Sequence, residues 1–345
     1  MSRIDTRLRS VLSPAFWRLA AICLPAVPLL MTFGVIWDDA VKGLVMAGAA
    51  YSVGFGAGRS VSGGRWLVIV LAAVSIAAAA FLGSLAGQSF ALMLAIIAVL
   101  AGACGALALL NEDRWWIALQ VVIAFVIASY YPQAIPGAAE RGALVLAGGA
   151  AQIACVLLLG WLLPLWAAPL PAAAPKEPPT RGSLLRHVLR AALAVTGAMW
   201  IARSLGLHHD YWAPMAALMV LKPGLTETRT RGIARLIGTV GGSALATGFA
   251  LATGQQVAAM LAALTVAAFL SFALQKAHYA VFTAAVTMTV VTMIDLAQGA
   301  PLANAEQRII ATLMGGGLAL LCAWALRDRA LPTDPAPDRL DGKVR

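Results

Sequence analysis

Residues 211–242 read YWAPMAALMVLKPGLTETRTRGIARLIGTVGG, and their reading decides how the chain is built. From Tyr211 to Lys222 the run is apolar but short. At about 1.5 Å rise per residue it covers far less than a hydrocarbon core of about 30 Å. Pro214 near its start and Pro223 at its end remove backbone donors, and Gly224 loosens the chain just after. A broken helix of this kind is tolerated at membrane depth only where it is buried in protein or lines a wet cavity, and such breaks mark transport sites. A short scaffold helix covered by its neighbours is the other reading of the same residues.

Working outward, the composition sets the class. The chain has 345 residues, of which 61% are hydrophobic and 12% charged, with a mean hydropathy of +0.84. That leaves too little polar surface to cover a soluble globule. Windows of about 20 apolar residues recur nearly end to end. They predict twelve spans near 18–36, 40–58, 66–86, 89–110, 115–131, 142–166, 184–206, 211–223, 232–253, 256–275, 278–296 and 306–326. The runs are continuously apolar and lack the period-two alternation of barrel strands, so the expected fold is all-α and integral to a membrane. The first span follows Arg3, Arg7, Arg9 and Arg18, but Pro25 and Pro28 interrupt it, and it reads as a retained helix.

Residues 168–183, APLPAAAPKEPPTRGS, separate six spans (1–167) from six (184–327) as a semi-extended linker, and 328–345 form a polar tail. Arg141 precedes Gly148 and Gly149 at the same offsets as Arg308 precedes Gly315 and Gly316, with 308 − 141 = 167. Together with the equal span count this predicts two parallel six-helix repeats.

The net charge of +10 needs no nucleic acid. With both termini cytoplasmic, Arg59, Arg65, Arg114, Lys176, Arg181, Arg186, Arg190, Lys222, Arg229, Arg231, Arg235, Lys276, Arg327 and Arg329 share one side, against Lys42, Arg141, Arg203 and Arg308 on the other. Cys23, Cys104, Cys155 and Cys322 sit in different apolar runs and read as small hydrophobes. No HExxH, GxSxG or Walker motif is present, so neither an enzyme, a cofactor nor a metal is expected.

The chemistry concentrates at the break. Lys222, Arg229, Arg231 and Arg235 surround it, and a guanidinium can hold a carboxylate through two parallel hydrogen bonds. An organic anion is the expected ligand. Arg229 and Arg231 also fit the plain role of topological loop cations. Arg235 lies between apolar neighbours, where an unpaired cation is costly. Thr226, Thr228 and Thr239 add hydroxyls, and Gly238 with Gly242 forms a GxxxG packing pattern. Tyr211 and Trp212 read as an interfacial belt or a stacking surface. Asp295, Glu306 and Arg308 read either as structural ion pairs or as carriers of a coupling proton.

The stretches RHVLRAALAVTGAMWIARSLGL, HDYWAPMAALMVLKPGLTETRTRGIARLIGTVGGSALA and AEQRIIATLMGGGLALLCAWAL resemble the fusaric acid resistance protein-like family, which includes aromatic acid exporters of bacterial inner membranes. Tyr211, Trp212, Pro214, Pro223, Thr228, Arg235, Gly238, Thr239, Gly242, Arg308 and Gly315 carry the resemblance. It implies export of small aromatic carboxylic acids from the cytoplasm, with relatives that act as anion channels. The expected substrate-binding set is Lys222, Arg229, Arg235, Thr228, Thr239, Tyr211 and Trp212, beside a helix break at Pro214, Pro223 and Gly224. Where such exporters commonly carry a large soluble domain after six spans, this chain has only the linker. The expected partners are the anion and membrane lipid, with small-residue faces suited to a homodimer, room for a periplasmic adaptor protein, and no nucleic acid. A non-transporting scaffold of an envelope complex is the alternative.

Overall fold

The computed structural model describes residues 14–59, 65–162, 178–275 and 278–327. The N-terminal cations Arg3, Arg7 and Arg9, most of the 168–183 linker with Lys176, Lys276, and the tail from 328 with Arg329 lie outside the described residues.

Among the described residues there are thirteen helical segments and no strand. Two of them, α1 (Pro14–Cys23) and α2 (Ala26–Ile36), are pieces of one candidate span, Trp17–Ile36, parted beside Pro25. The first half continues with α3 (Ala40–Gly54), α4 (Arg65–Ala86), α5 (Phe90–Leu110), α6 (Glu112–Ser129) and α7 (Ile135–Leu162). The second half comprises α8 (Arg181–Ser204), α9 (Trp212–Val220), α10 (Leu225–Ala252), α11 (Val257–Ala273), α12 (Tyr279–Gln298) and α13 (Pro301–Ala325).

Eight spans are long and apolar enough to cross a membrane. Four helices fall short of the uniform crossing helices expected. α3 and α11 are apolar but brief, α6 opens on Glu112, Asp113 and Arg114, and α9 has only 9 residues. Four other helices begin earlier than the apolar windows predicted: α7 at Ile135, α8 at Arg181, α10 at Leu225 and α13 at Pro301. Polar first turns do not end a helix; they only lie outside its greasiest stretch. Arg229 and Arg231 are therefore helical residues of α10, and Arg181–Ser183 belong to α8 rather than to the linker.

Local chemistry sets several of these ends. Asp39, Asn111 and Thr180 cap α3, α6 and α8 by accepting from the backbone N–H groups of Lys42 (3.1 Å), Arg114 (2.9 Å) and Ser183 (3.2 Å). Between α12 and α13 the chain reverses through Gly299 (φ 72°) and Ala300 (φ 60°). The Asn304 amide braces that turn, donating to the Gly299 carbonyl (2.8 Å) and to Asp295 Oδ1 (2.7 Å).

Outward faces are apolar, with Val99, Trp161, Trp200, Leu245 and Trp324 exposed, while Thr239, Ser243, Thr287 and Thr289 are buried. Apolar outside and hydroxylated inside is the inverse of a water-soluble domain and fits a bilayer as solvent. In the first half α4 packs on α6 and α7, α3 on α7, α5 on α6 and α2 on α3. In the second, α10 packs on α12 and α13, α9 on α13, α11 on α12 and α8 on α9. The halves meet where α5 lies against α8 and α11 against α1.

Glycines permit the closest approaches. A Cβ on Gly148 of α7 would overlap the Met46 carbonyl of α3, and one on Gly315 of α13 would overlap the Ala213 carbonyl of α9. Gly238 and Gly242 bring α10 against the Ala280 and Ala284 carbonyls of α12 in the same way. The predicted GxxxG pattern is thus a helix seam between α10 and α12.

Candidate functional site

The helix break is held by three side chains. Thr228, fully buried, accepts from the Lys222 N–H (3.0 Å), and its hydroxyl reaches the carbonyls of Gly224 (2.8 Å) and Lys222 (3.1 Å). Arg231 Nε donates to the Met219 carbonyl (2.9 Å), tying α10 to the last turn of α9. Arg190 of α8, read from the sequence only as a topological cation, donates to the carbonyls of Pro223 (2.6 Å) and Leu326 (3.0 Å through Nε). The carbonyls freed by the break thereby find donors, which a buried backbone requires. The Thr228 hydroxyl is thus engaged with the backbone of the break.

Above the break, Arg235 (7% exposed) and Arg308 (5% exposed) are buried in the interior bounded by α9, α10, α12 and α13. Arg235 Nη1 reaches the Tyr279 hydroxyl (3.4 Å). Arg308 stands 5.2 Å over the Trp212 ring. The two guanidiniums are within electrostatic reach of one another, and Tyr51 and Tyr211 lie within reach of Arg308. Among the described residues no carboxylate approaches either arginine within 4.0 Å. Arg235 Nε, Arg308 Nη1, Thr239 Oγ1 and Ser243 Oγ are buried without a hydrogen-bond partner. Moving an unpaired guanidinium to the centre of a membrane helix costs about 3 kcal/mol on insertion scales, so two of them need a compensating role.

Toward the break the cations continue. Arg231 stacks 3.8 Å over the Tyr279 ring, and Lys222 lies 4.8 Å over the Trp115 ring of α6. Lys222, Arg231 and Arg308 rest on ring faces and Arg235 meets the Tyr279 hydroxyl, with no carboxylate of the described residues in ion-pair range of any of them. A ring face stabilises a cation by about 0.5–2 kcal/mol without cancelling its charge, so each keeps its positive field available to an anion.

The remaining predicted residues separate from this interior in part. Arg229 and Glu306 are exposed. Tyr211 is buried, its hydroxyl 3.0 Å from His209 Nδ1. Pro214 is buried within α9, and Gly224 caps α10 without a side-chain bond. Thr226 is exposed on the first turn of α10. Asp295 is buried; Oδ1 accepts from Asn304, and Oδ2 has no hydrogen-bond partner. Near the opposite membrane face Asp210 pairs with Arg203 (2.8 Å); burial raises its carboxyl above the usual range while Arg203 pulls it back.

Tyr279, Ser243, Asn304 and Arg190 join this region without having been singled out as site residues. A polar residue recurring every fourth position, as Arg235, Thr239, Ser243 and Thr247 do along α10, is the signal that would have found Ser243.

Residues 197–322 match the family model described as fusaric acid resistance protein-like. Over 143 residues the chain is 32% identical to the inner membrane protein YccS of Escherichia coli (strain K12), covering 41% of this chain and 19% of that protein. Over 145 residues it is 30% identical to an uncharacterized protein, ORF2, of Neisseria gonorrhoeae, covering 41% of this chain and 33% of that one. The chain thus covers only about a fifth and a third of these relatives. No solved structure matches. The matched region contains α9 to α12 with most of α13, and so Lys222, Arg231, Arg235, Tyr279 and Arg308: residues 197–322 of this chain are similar to the fusaric acid resistance protein-like family.

Proposed function

We propose that the chain moves small organic anions, aromatic carboxylates among them, out of the cytoplasm across a bacterial inner membrane, drawing on an ion gradient. The observation that carries this reading is the pair Arg235 and Arg308, both buried, within electrostatic reach of one another and with no carboxylate partner among the described residues. An anion entering there would gain charge-assisted hydrogen bonds in a low-dielectric setting. Lys222 and Arg231 at the break form the cytoplasmic entrance, in keeping with the excess of cations on that face. Asp295, with Oδ2 unpartnered, is the carboxyl assigned to the coupling proton.

The same reading treats the two halves as parallel repeats. Phe90 and Val257 open α5 and α11, and Glu112 and Tyr279 open α6 and α12, each pair 167 residues apart (257 − 90, 279 − 112). Met46 and Ala213 lie at that spacing too (213 − 46), as do their glycine neighbours Gly148 and Gly315. Kinship with an inner membrane protein supports the location.

Flux of labelled 4-hydroxybenzoate into proteoliposomes, with and without an imposed pH gradient, tests the proposal. The wild type should show gradient-stimulated flux, Arg235→Ala should lose it, and Asp295→Asn should keep downhill flux while losing the stimulation. Flux indifferent to the gradient in the wild type would point to a channel, and absence of flux over a broad acid panel would point to a scaffold.

A further inference from the structure

Arg235 and Arg308 are anchored to different walls of the interior. Arg235 projects from α10 toward Tyr279 of α12, whereas Arg308 projects from α13 over Trp212 of α9. Each is more than nine-tenths buried, and each retains a guanidinium nitrogen without a partner. The hydroxyls of Thr239 and Ser243, four and eight residues along α10 from Arg235, also lack partners. A single carboxylate neutralises one guanidinium and leaves the other buried and unpaired, which keeps most of the desolvation penalty in place. An anion with two charged groups set apart removes both penalties at once and offers oxygens to the hydroxyls.

We infer that the preferred ligand of this site is a small dianion with two separated carboxylates, one held by Arg235 and the other by Arg308. The inference rests on the anion-transport reading and narrows it, since that reading requires only that anions bind. Trp212 lies under Arg308 and the Tyr279 hydroxyl meets Arg235, so aromatic side chains adjoin both arginines and suit a flat, unsaturated spacer.

Equilibrium binding to the purified full chain in nanodiscs, by calorimetry at pH 7.5 and fixed ionic strength, tests this with benzoate, isophthalate and phenyl phosphate as probes. Isophthalate should bind at least about tenfold more tightly than benzoate, the equivalent of one further charge-assisted contact. Arg235→Gln and Arg308→Gln should each remove that preference, weakening isophthalate by at least about tenfold more than they weaken benzoate. The wild-type ratio of the two ligands needs no variant and stands even if a variant fails to fold.

Equal binding of benzoate and isophthalate by the wild type would overturn the inference and leave anion transport intact. Persistence of the preference in both variants would also overturn it. Phenyl phosphate matching isophthalate would show that total charge matters and its separation does not, which sinks the assignment of one carboxylate to each arginine. Absence of binding for all three would overturn the transport reading along with this one.

Discussion

Val68, Ala72, Ile76 and Val145 are buried in the interior of the first half, and at positions 167 residues later the second half buries Arg235, Thr239, Ser243 and Thr312. The helices around these residues pack in the same order in both halves. One interior is closed by apolar side chains and the other is lined by cations and hydroxyls. The treatment of charge differs as well. At the end of the first half a cavity of about 210 Å³ is lined by Asp39, Lys42, Glu140 and Arg141. There Lys42 is neutralised by Glu140 (3.0 Å) and Asp39 (3.3 Å). Arg59 likewise meets Asp113 (3.3 Å). Arg59 and Arg141 also lie over rings, those of Trp116 and Tyr131, whereas Lys222, Arg231 and Arg308 of the second half meet rings with no carboxylate of the described residues in ion-pair range.

Exchanging the counterparts would break the comparison most severely. Val68→Arg would place an unpaired guanidinium against apolar packing and should cost about 3–5 kcal/mol, read as loss of the monodisperse peak in fluorescence-detected size exclusion. A normal peak would mean that the first half holds polar space that its packing does not reveal. Arg235→Val, the reverse exchange, should leave the melting temperature equal or higher, because a buried unpaired cation is replaced by a packed side chain. Transport should nevertheless fall by about 100-fold, the worth of roughly two to three kcal/mol of charge-assisted binding.

The seam between α10 and α12 sharpens the comparison at a smaller scale. Gly242 faces the Ala284 carbonyl, whereas a Cβ on its neighbour Gly241 meets nothing within 4 Å. Gly242→Ala should destabilise by about 1–3 kcal/mol through overpacking. Gly241→Ala should be neutral or stabilising by up to about 1 kcal/mol through helix propensity. Melting curves of the two variants, side by side, separate a true seam from a glycine-rich stretch without one.

The smallest effect concerns Asp210. Burial holds its carboxyl above the unfolded value, so stability associated with its protonated form is present at low pH and is lost as pH rises from about 4 through the folded value. Arg203 opposes this shift. Arg203→Gln should therefore lower the melting temperature relative to wild type more at pH 7.5 than at pH 4. An equal difference at both pH values would show that Arg203 does not act on the fold through Asp210.

The sequence by itself determined that the chain is all-helical and apolar outward, where its spans lie to within several residues, that residues 211–224 break, and that cations crowd the break. These follow from local properties: hydrophobic runs of bilayer length, proline's missing donor, and residue order. Tertiary structure alone decided which cations share an interior. Arg229 and Arg231 are two residues apart, yet Arg229 is exposed and Arg231 stacks on Tyr279. Arg308, far along the chain from the break, joins Arg235 only because Gly315 and Gly242 let α13 and α12 close against α9 and α10. Thr228 matched the resemblance as well as Arg235 did, but its hydroxyl is taken up by the backbone of the break. Whether a polar group is spent on the fold or left for a ligand depends on what its neighbours have already satisfied, and those neighbours are set by helix packing between residues distant in sequence.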